Sequence, residues 1–350
     1  IKVLDSRPFQ RLRYIHQLAM TYLIYPGARQ SRFEHSLGVM EIASQVFDRI
    51  TASGNIHPGV RDLLPQLQRD DEIRYWRRVL RVAALCHDMG HLPFSHAAEK
   101  DLLPEGWSHE RLTVAIVQSM EKTWQSMTPP LRTDDIIKIS VGPRELKEVE
   151  FNDWEAILSE VITGDAFGVD RMDYLLRDSH HAGVVYGKFD HHRLIDTLKI
   201  LPKGQVGSRE PCLGIEEGGL RPAEALLLAR YFMYTQVYMH PVRRIYDIHL
   251  KDFLKEWLPD KTFPTEVEKH LGMSDVEVLG AIMKAARQPG TEGHDPARRI
   301  MEHQHYRLLY QRNPDDIRKN PDSARRVFEA AGTEFGEAHV RFDRYRQERD

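Results

Sequence analysis

Eighteen histidines stand in this chain, many beside Asp, Glu, Gly or Ser rather than in one tract. Four groups of residues could do chemistry. The first is Arg32-Phe33-Glu34-His35-Ser36. The second is His87-Asp88-Met89-Gly90-His91-Leu92-Pro93-Phe94-Ser95-His96, with Glu99 just after. The third is His109-Glu110, and the fourth runs from Val169-Asp170-Arg171 through Asp173-Tyr174 to Asp178. His87-Asp88 follows an apolar stretch, and burying an ionised carboxylate beside an imidazole is costly unless the pair is bonded or holds a metal. Both side chains can reach one cation where a helix ends and the backbone turns. Two adjacent residues cannot complete a site, and His35 and Asp170 are the natural distant contributors. The set is then His35, His87, Asp88 and Asp170, with water or substrate in the open positions. Neutral imidazole plus carboxylate suits divalent Mn, Fe, Zn or Ni, while extra carboxylate and water suit Mg.

A lone His-Asp dipeptide would read as a surface helix end. The crowd of Gly90, His91, Pro93, Ser95, His96 and Glu99 behind it argues otherwise. Arg32 precedes His35 by three, which puts them on the same helix face if one helix includes both. A guanidinium there suits a phosphate bound to the metal, the alternative being a surface salt bridge. Asp170, Tyr174 and Asp178 repeat at four, flanked by Arg171 and Arg177, with Met172, Leu175 and Leu176 on the apolar side. That face either lines a cleft or is simply solvated. Arg230, Tyr234 and Tyr238 repeat at four as well, followed by His240, and spacing alone weighs core packing and function equally.

The elements that must position these groups read as mostly helical. Leu37, Met40, Ala43, Phe47 and Ile50 recur at three or four and predict a helix over Glu34–Ile50. Tyr75–Cys86 is apolar nearly all round and predicts a buried helix, ended by Gly90 and Pro93. Trp154–Ile162 and Val169–Arg177 predict two more, broken at Thr163-Gly164. Ala223–Leu258 predicts one long helix, interrupted or kinked at Pro241. Ile195–Leu201 and Pro211–Glu217 predict a single hairpin. The fold expected is mostly α, with a small β-hairpin and a helical C-terminal subdomain. Residues 1–258 form the main domain and 259–350 the subdomain, Arg341–Asp350 being a solvated helix end or tail.

Lys and Arg number 49 against 52 Asp and Glu, a net charge of −3, so a strongly basic nucleic-acid binder is not the default. No apolar run approaches the ~18 residues of a membrane helix. The two cysteines, Cys86 and Cys212, exclude a disulfide framework and suit a reducing cytosol, so a cytoplasmic protein is expected. The chain opens on Ile1, and an earlier natural start is expected.

The ordered set H…HD…D, with Arg32-Phe33-Glu34-His35-Ser36-Leu37-Gly38 and His87-Asp88-x-Gly-His-x-Pro-Phe-Ser-His, resembles the HD-domain metal-dependent phosphohydrolases. Within them it is most similar to the deoxynucleoside triphosphate triphosphohydrolases of animals and bacteria. The likeness runs from Asp5-Ser6-x-x-Phe9-Gln10-Arg11-Leu12-Arg13 through Tyr25-Pro26-Gly27-Ala28 to Asp173-Tyr174-x-x-Arg177-Asp178-x-His180-His181-x-Gly183. It continues weakly through Tyr238-x-His240 to Arg307-Leu308-Leu309-Tyr310.

The resemblance implies that His35, His87, Asp88 and Asp170 bind a divalent metal, and that Mg accompanies the substrate phosphates. It implies that Arg32 contacts phosphate and that His91, His96, Glu99 and His109 form a proton-handling cluster. His96 is the expected general acid, with His91 the alternative. Arg171, Tyr174 and Asp178 would hold phosphates and sugar. Gln17 and Leu18 would meet deoxyribose and base, and Tyr238 would pack under the sugar beside Tyr234. Asp5, Gln10, Arg13 and Arg307 resemble a nucleotide activator site at a subunit interface, so a homo-oligomer is expected, at least a dimer. A structural reading of these last residues has Asp5 capping the first helix and Arg13 pairing with it. Departures from the family pattern are Glu99 for an aspartate, Tyr234 for a histidine, Pro241 for a lysine, Lys199 for an arginine and Gln311 for a lysine. The reaction implied is hydrolysis of a deoxynucleoside triphosphate to deoxynucleoside and inorganic triphosphate. The alternatives are a less selective nucleotide phosphatase releasing orthophosphate, and a nucleic-acid or partner-binding module with a vestigial site.

Overall fold

A computed structural model describes residues 1–97, 99–204 and 209–343, and among these the side chains of His96 and Lys100 lie outside the description. The first helix, α1 (Arg7–Arg11), starts after Ser6, with Pro8 in its first turn. Asp5 does not cap it. The long helix α2 (Arg32–Ile50) begins two residues earlier than the apolar periodicity implied, because Arg32 and Phe33 turn inward with the rest of the buried face. That face carries His35, Val39, Ile42, Ala43, Val46, Phe47 and Ile50.

Helix α3 (Asp70–Cys86) also starts earlier than expected. Asp70, Asp71 and Glu72 fill its first turn, where carboxylates favour the helix dipole. Its opening turns are amphipathic, and the unbroken burial expected of it holds only from Ala83 onward. The chain leaves the helix at His87, so the His-Asp pair emerges inside the protein. Next come α4 (His109–Ser119), α5 (Thr133–Val141), α6 (Asp153–Thr163) and α7 (Val169–Ala182). The break between α6 and α7 falls at Gly164 as the sequence implied. Gly183, at φ 72°, ends α7 in the left-handed conformation that glycine adopts without strain.

The hairpin pairs β1 (Leu198–Pro202) with β2 (Pro211–Ile215), antiparallel, Leu198 opposite Ile215 and Pro202 opposite Pro211. Ile195, expected in the first strand, belongs instead to a short helix capped by Asp190. The long helix expected over Ala223–Leu258 is two helices, α8 (Leu220–Met233) and α9 (Pro241–Trp257), joined by a π-helical turn over Tyr234–Tyr238. Pro241 has no N–H to continue a helix, and it holds His240 extended, at ψ 127°. Beyond α9, the described part of the C-terminal region folds into short helices, including α10 (Asp275–Ala286), α11 (His294–Met301) and α12 (Ser323–Phe335).

Two apolar cores result. The larger joins α2, α3 and α5 to α8, with Phe47, Trp124 and Trp154 fully buried. The smaller joins α9 to α11, and Met20, Leu92, Phe94 and Leu112 reach into it. The segment after His87-Asp88 therefore crosses from one core to the other and is held on both sides. No helix among the described residues is long and apolar enough to cross a membrane.

Candidate metal centre

His35 enters from the first turns of α2, His87 and Asp88 from the end of α3, and Asp170 from the first turn of α7. Their ligand atoms converge. His35 Nε2 lies 2.9 Å from Asp170 Oδ1 and 3.6 Å from Asp88 Oδ2. His87 Nε2 lies 3.4 Å from Asp88 Oδ1 and 3.6 Å from Asp170 Oδ1. Both Nε2 atoms are buried and neither makes a hydrogen bond of acceptable geometry. Two orphaned imidazole nitrogens facing two carboxylates fit a divalent cation, since a buried polar group without a partner is otherwise costly. The mixed nitrogen and oxygen donor set suits a transition ion. The side chain of Asp170 is 38% exposed, against 0% for His35, so the centre opens on the Asp170 side.

The electrostatics agree. Burial alone would lower the pKa of His35, but the nearby Asp170 carboxylate and the bond to Asp173 outweigh burial and lift it to about 10. Burial raises the Asp88 carboxyl, yet the charges of Arg32, His87 and His91 hold it well below the usual carboxylate range. Burial opposes ionisation of Asp170 too, and His35 and His87 overcome it. The pocket is thus built to hold positive charge.

His35 Nδ1, on the far side of the ring, bonds to Asp173 Oδ2 at 2.7 Å. Asp173 is also gripped by Arg177, through Nε and Nη2, each at 2.8 Å. A carboxylate behind a ligating histidine sets its tautomer and raises its basicity. Asp173 lies within the motif that carries the family resemblance, where residue type alone assigns it no role. Its position three residues after Asp170, one turn along the same helix, was the available signal.

Arg32 pairs with Asp88 and donates from Nε to Ser95 Oγ at 2.8 Å. Ser95 Oγ in turn donates to the His16 carbonyl at 2.8 Å. Beside the centre, His91 Nε2 stands 3.2 Å from Asp88 Oδ1. The His91 ring stacks on His109, centroids 3.9 Å apart, and His109 Nδ1 lies 2.6 Å from Glu99 Oε1. Burial lowers His109, but Glu99 outweighs it and lifts the pKa to about 9. Burial, then the charges of Arg32 and His109, keep His91 well below the usual histidine range. His96 belongs to a short turn over Ser95–Ala97, and its side chain lies outside the described residues.

A second wall comes from α7 and the π-helical turn. Tyr238 donates its hydroxyl to Asp178 Oδ2 at 2.7 Å, and Gln30 Nε2 donates to Asp178 Oδ1 at 2.8 Å. Burial raises Asp178 to about 6 despite these bonds. Tyr238 sits edge-on to Tyr174 at 6.2 Å and to Tyr234 at 5.3 Å between centroids. Arg171 has its Nε and Nη1 buried without partners, and Gln17 Oε1 is likewise unpartnered. Leu18 is buried nearby in the chain. Two residues of the expected effector site bond to each other. Arg13 donates to Gln10 Oε1 at 2.8 Å and stacks over Phe33, and Gln10 Nε2 donates to the Leu4 carbonyl at 2.6 Å. Asp5 and Arg307 are exposed. Arg13 therefore pairs with Gln10, not with Asp5.

Residues 32–178 match the model of the HD domain, and residues 189–331 match that of the HD associated region. An uncharacterized protein of Methanocaldococcus jannaschii is 34% identical over 80% of this chain and 50% of its own length. The deoxynucleoside triphosphate triphosphohydrolase SAMHD1 of Gallus gallus is 27% identical over 92% of this chain and 55% of its own. The chain spans about half the length of the curated relatives it matches. Among solved structures, a hypothetical protein from Aquifex aeolicus is 34% identical, with a TM-score of 0.72 over 93% of this chain and 77% of that one.

Proposed function

The chain belongs to the HD-domain family of phosphohydrolases, and from that premise we propose that it hydrolyses deoxynucleoside triphosphates to deoxynucleoside and inorganic triphosphate. The observation that carries this reading is the pair of orphaned Nε2 atoms of His35 and His87 facing Asp88 and Asp170, with a proton-bearing cluster on one side and a tyrosine wall on the other. The name of the Gallus gallus relative supports the substrate class.

His35, His87, Asp88 and Asp170 would hold the divalent cation. When bound, that cation supplies Lewis-acid charge at the scissile phosphate and lowers the pKa of water from 15.7 toward about 7. Arg32 and Arg171 meet the phosphate oxygens. The unpartnered Nε and Nη1 of Arg171 are donors waiting for such acceptors. His109, kept protonated by Glu99, is the proton store for the leaving 5′-oxygen. Neutral His91, set between His109 and Asp88, passes the proton on toward that oxygen, and His96 is the expected donor. A positioned general acid contributes typically ~10²–10⁴ in rate. Tyr238, with Gln17 and Leu18, would leave little room for a 2′-hydroxyl, so ribose is rejected by clash and by an unsatisfied buried group.

The test is one activity screen with Mn²⁺, Mg²⁺ and Fe²⁺. The four deoxynucleoside triphosphates and the ribonucleotides are the substrates, and products are separated. Inorganic triphosphate and deoxynucleoside are expected, with ATP turned over far more slowly than dATP. Orthophosphate as the product, or equal rates on ATP and dATP, would replace the reading with that of a general nucleotide phosphatase. Asp88→Ala is expected to lose both metal and turnover while remaining folded.

A further inference from the structure

Gln30 lies outside every motif that the sequence singled out, yet it is 2% exposed and carries a side chain that can make several hydrogen bonds. Its place follows from a short antiparallel ladder just before α2. His16 bridges Ser31, Gln17 N–H donates to the Gln30 carbonyl at 3.0 Å, and Arg32 N–H donates to the Ile15 carbonyl at 2.9 Å. Positions 17 and 30 are therefore directly opposite, and directly opposed side chains share one face with Cβ atoms about 5 Å apart. Arg32 follows two residues later, where the chain turns from the ladder into α2. The ladder thus ties Gln17 and Gln30 to the same edge as the arginine beside the metal centre.

Two further observations point to a role. The Gln30 amide must present Nε2 to Asp178, because only the NH₂ end can donate to a carboxylate oxygen, and this fixes its orientation. Its Oε1 is then buried and unpartnered, as is Oε1 of Gln17 opposite. Two orphaned acceptors on opposed residues are rare in a satisfied core and call for donors from a ligand. Meanwhile Asp178 spends its other oxygen on the Tyr238 hydroxyl. A relay runs from the ladder through Gln30 and Asp178 to Tyr238.

We propose that Gln30 is a positioning and specificity-determining residue: its NH₂ group locks Asp178 so that Tyr238 stays against the sugar, and its carbonyl, with that of Gln17, receives a sugar hydroxyl of the substrate. This rests on the deoxynucleotide reading above. Gln30 touches neither the reacting phosphorus nor the metal ligands, so its removal acts on sugar discrimination and substrate affinity rather than on metal binding. Without Gln30, the Asp178 carboxyl loses one of its two anchors and Tyr238 loses its fixed angle.

The experiment compares wild type with Gln30→Leu, Tyr238→Phe and the double variant, using dATP, ATP and 2′,3′-dideoxy-ATP. Bound metal is measured in each. In Gln30→Leu the KM for dATP is expected to rise about tenfold, the upper worth of one neutral hydrogen bond to the sugar, with kcat changed less than about threefold. The ratio of kcat/KM for dATP over ATP is expected to fall about tenfold, the preference for dATP over the dideoxy substrate is expected to narrow, and metal content is expected to stay at the wild-type level. The double variant is expected to lose little more than the larger single loss, the sign of two residues acting through one relay. If Gln30→Leu fails to fold, Gln30→Asn, one methylene too short to reach Asp178, carries the same comparison. Wild-type selectivity in a folded variant, or full additivity in the double, overturns the assignment of Gln30 alone. A wild-type chain that neither binds nor turns over any deoxynucleotide overturns both this assignment and the substrate reading.

Discussion

Replacing Asp173 by Asn leaves every proposed metal ligand in place and changes only what stands behind His35. The carboxylate is 5% exposed and has three short contacts: His35 Nδ1 at 2.7 Å and the two Arg177 nitrogens at 2.8 Å each. An asparagine can accept through one oxygen only. Either His35 keeps its partner and Arg177 faces an NH₂ group, or the reverse. Loss of an outer partner of a metal-bound histidine typically costs 10–100-fold in metal affinity, or about 1.4–2.8 kcal/mol. Loss of a charged hydrogen bond at this half-buried arginine costs about 1.5–3 kcal/mol of folding stability. The two costs separate in a second variant. Arg177→Met removes the ion pair but leaves the His35–Asp173 bond, so it is expected to lose stability while retaining metal affinity within a few-fold. Competition with a chromophoric chelator gives the affinity, and urea unfolding of the apo-protein gives the stability. Metal bound by Asp173→Asn as tightly as by wild type would refute the claim that Asp173 sets the ligating tautomer of His35. An equal affinity loss in Arg177→Met would show that the arginine, not the carboxylate alone, carries the effect.

Gly90→Ala tests the closeness of the end of α3 to α4. An added Cβ would strike the His109 carbonyl and the backbone nitrogen of Thr113, and Gly90 N–H already donates to Thr113 Oγ1 at 3.0 Å. The expected loss is about 1–3 kcal/mol, from overpacking of rigid backbone, with turnover falling as His109 is displaced; an unchanged melting temperature would contradict the packing. His270 tests buried charge. Burial, then the nearby Arg11 guanidinium, depress its pKa from 6.5 to about 3 in the folded chain. Its stabilising share is therefore complete above pH 6.5 and is lost as pH falls from there toward 3, because the unfolded chain binds a proton that the folded one refuses. The slope is about 1.4 kcal/mol per pH unit, so roughly 2 kcal/mol is lost by pH 5. Urea unfolding of wild type and His270→Gln at pH 7 and pH 5 is expected to show the wild type losing that much more; parallel losses would disprove it.

Most of the candidate metal centre was legible in the sequence because its members sit at positions that local rules mark. His87-Asp88 ends an apolar run, Asp170 opens an amphipathic helix, and Arg32 and His35 share one turn. The helices themselves follow from periodicity and from Gly164, Gly183 and Pro241, whose backbone restrictions act locally. What local rules could not supply was anything set by contact between distant segments. The early start of α3 hides in charged residues that only the helix dipole and the flanking packing select. The π-helical turn that aims Tyr238 depends on how α8 and α9 meet around Pro241. Asp173 and Gln30 look like ordinary polar residues, and each acquires meaning only when His35 or Asp178, far away in the chain, is brought within hydrogen-bond reach. The pairing of Arg13 with Gln10 rather than Asp5 is likewise settled by the ring of Phe33 lying beneath the guanidinium. Residue type and spacing determine which groups can do chemistry; burial and long-range packing decide which of them are left without partners and so are free to meet a ligand.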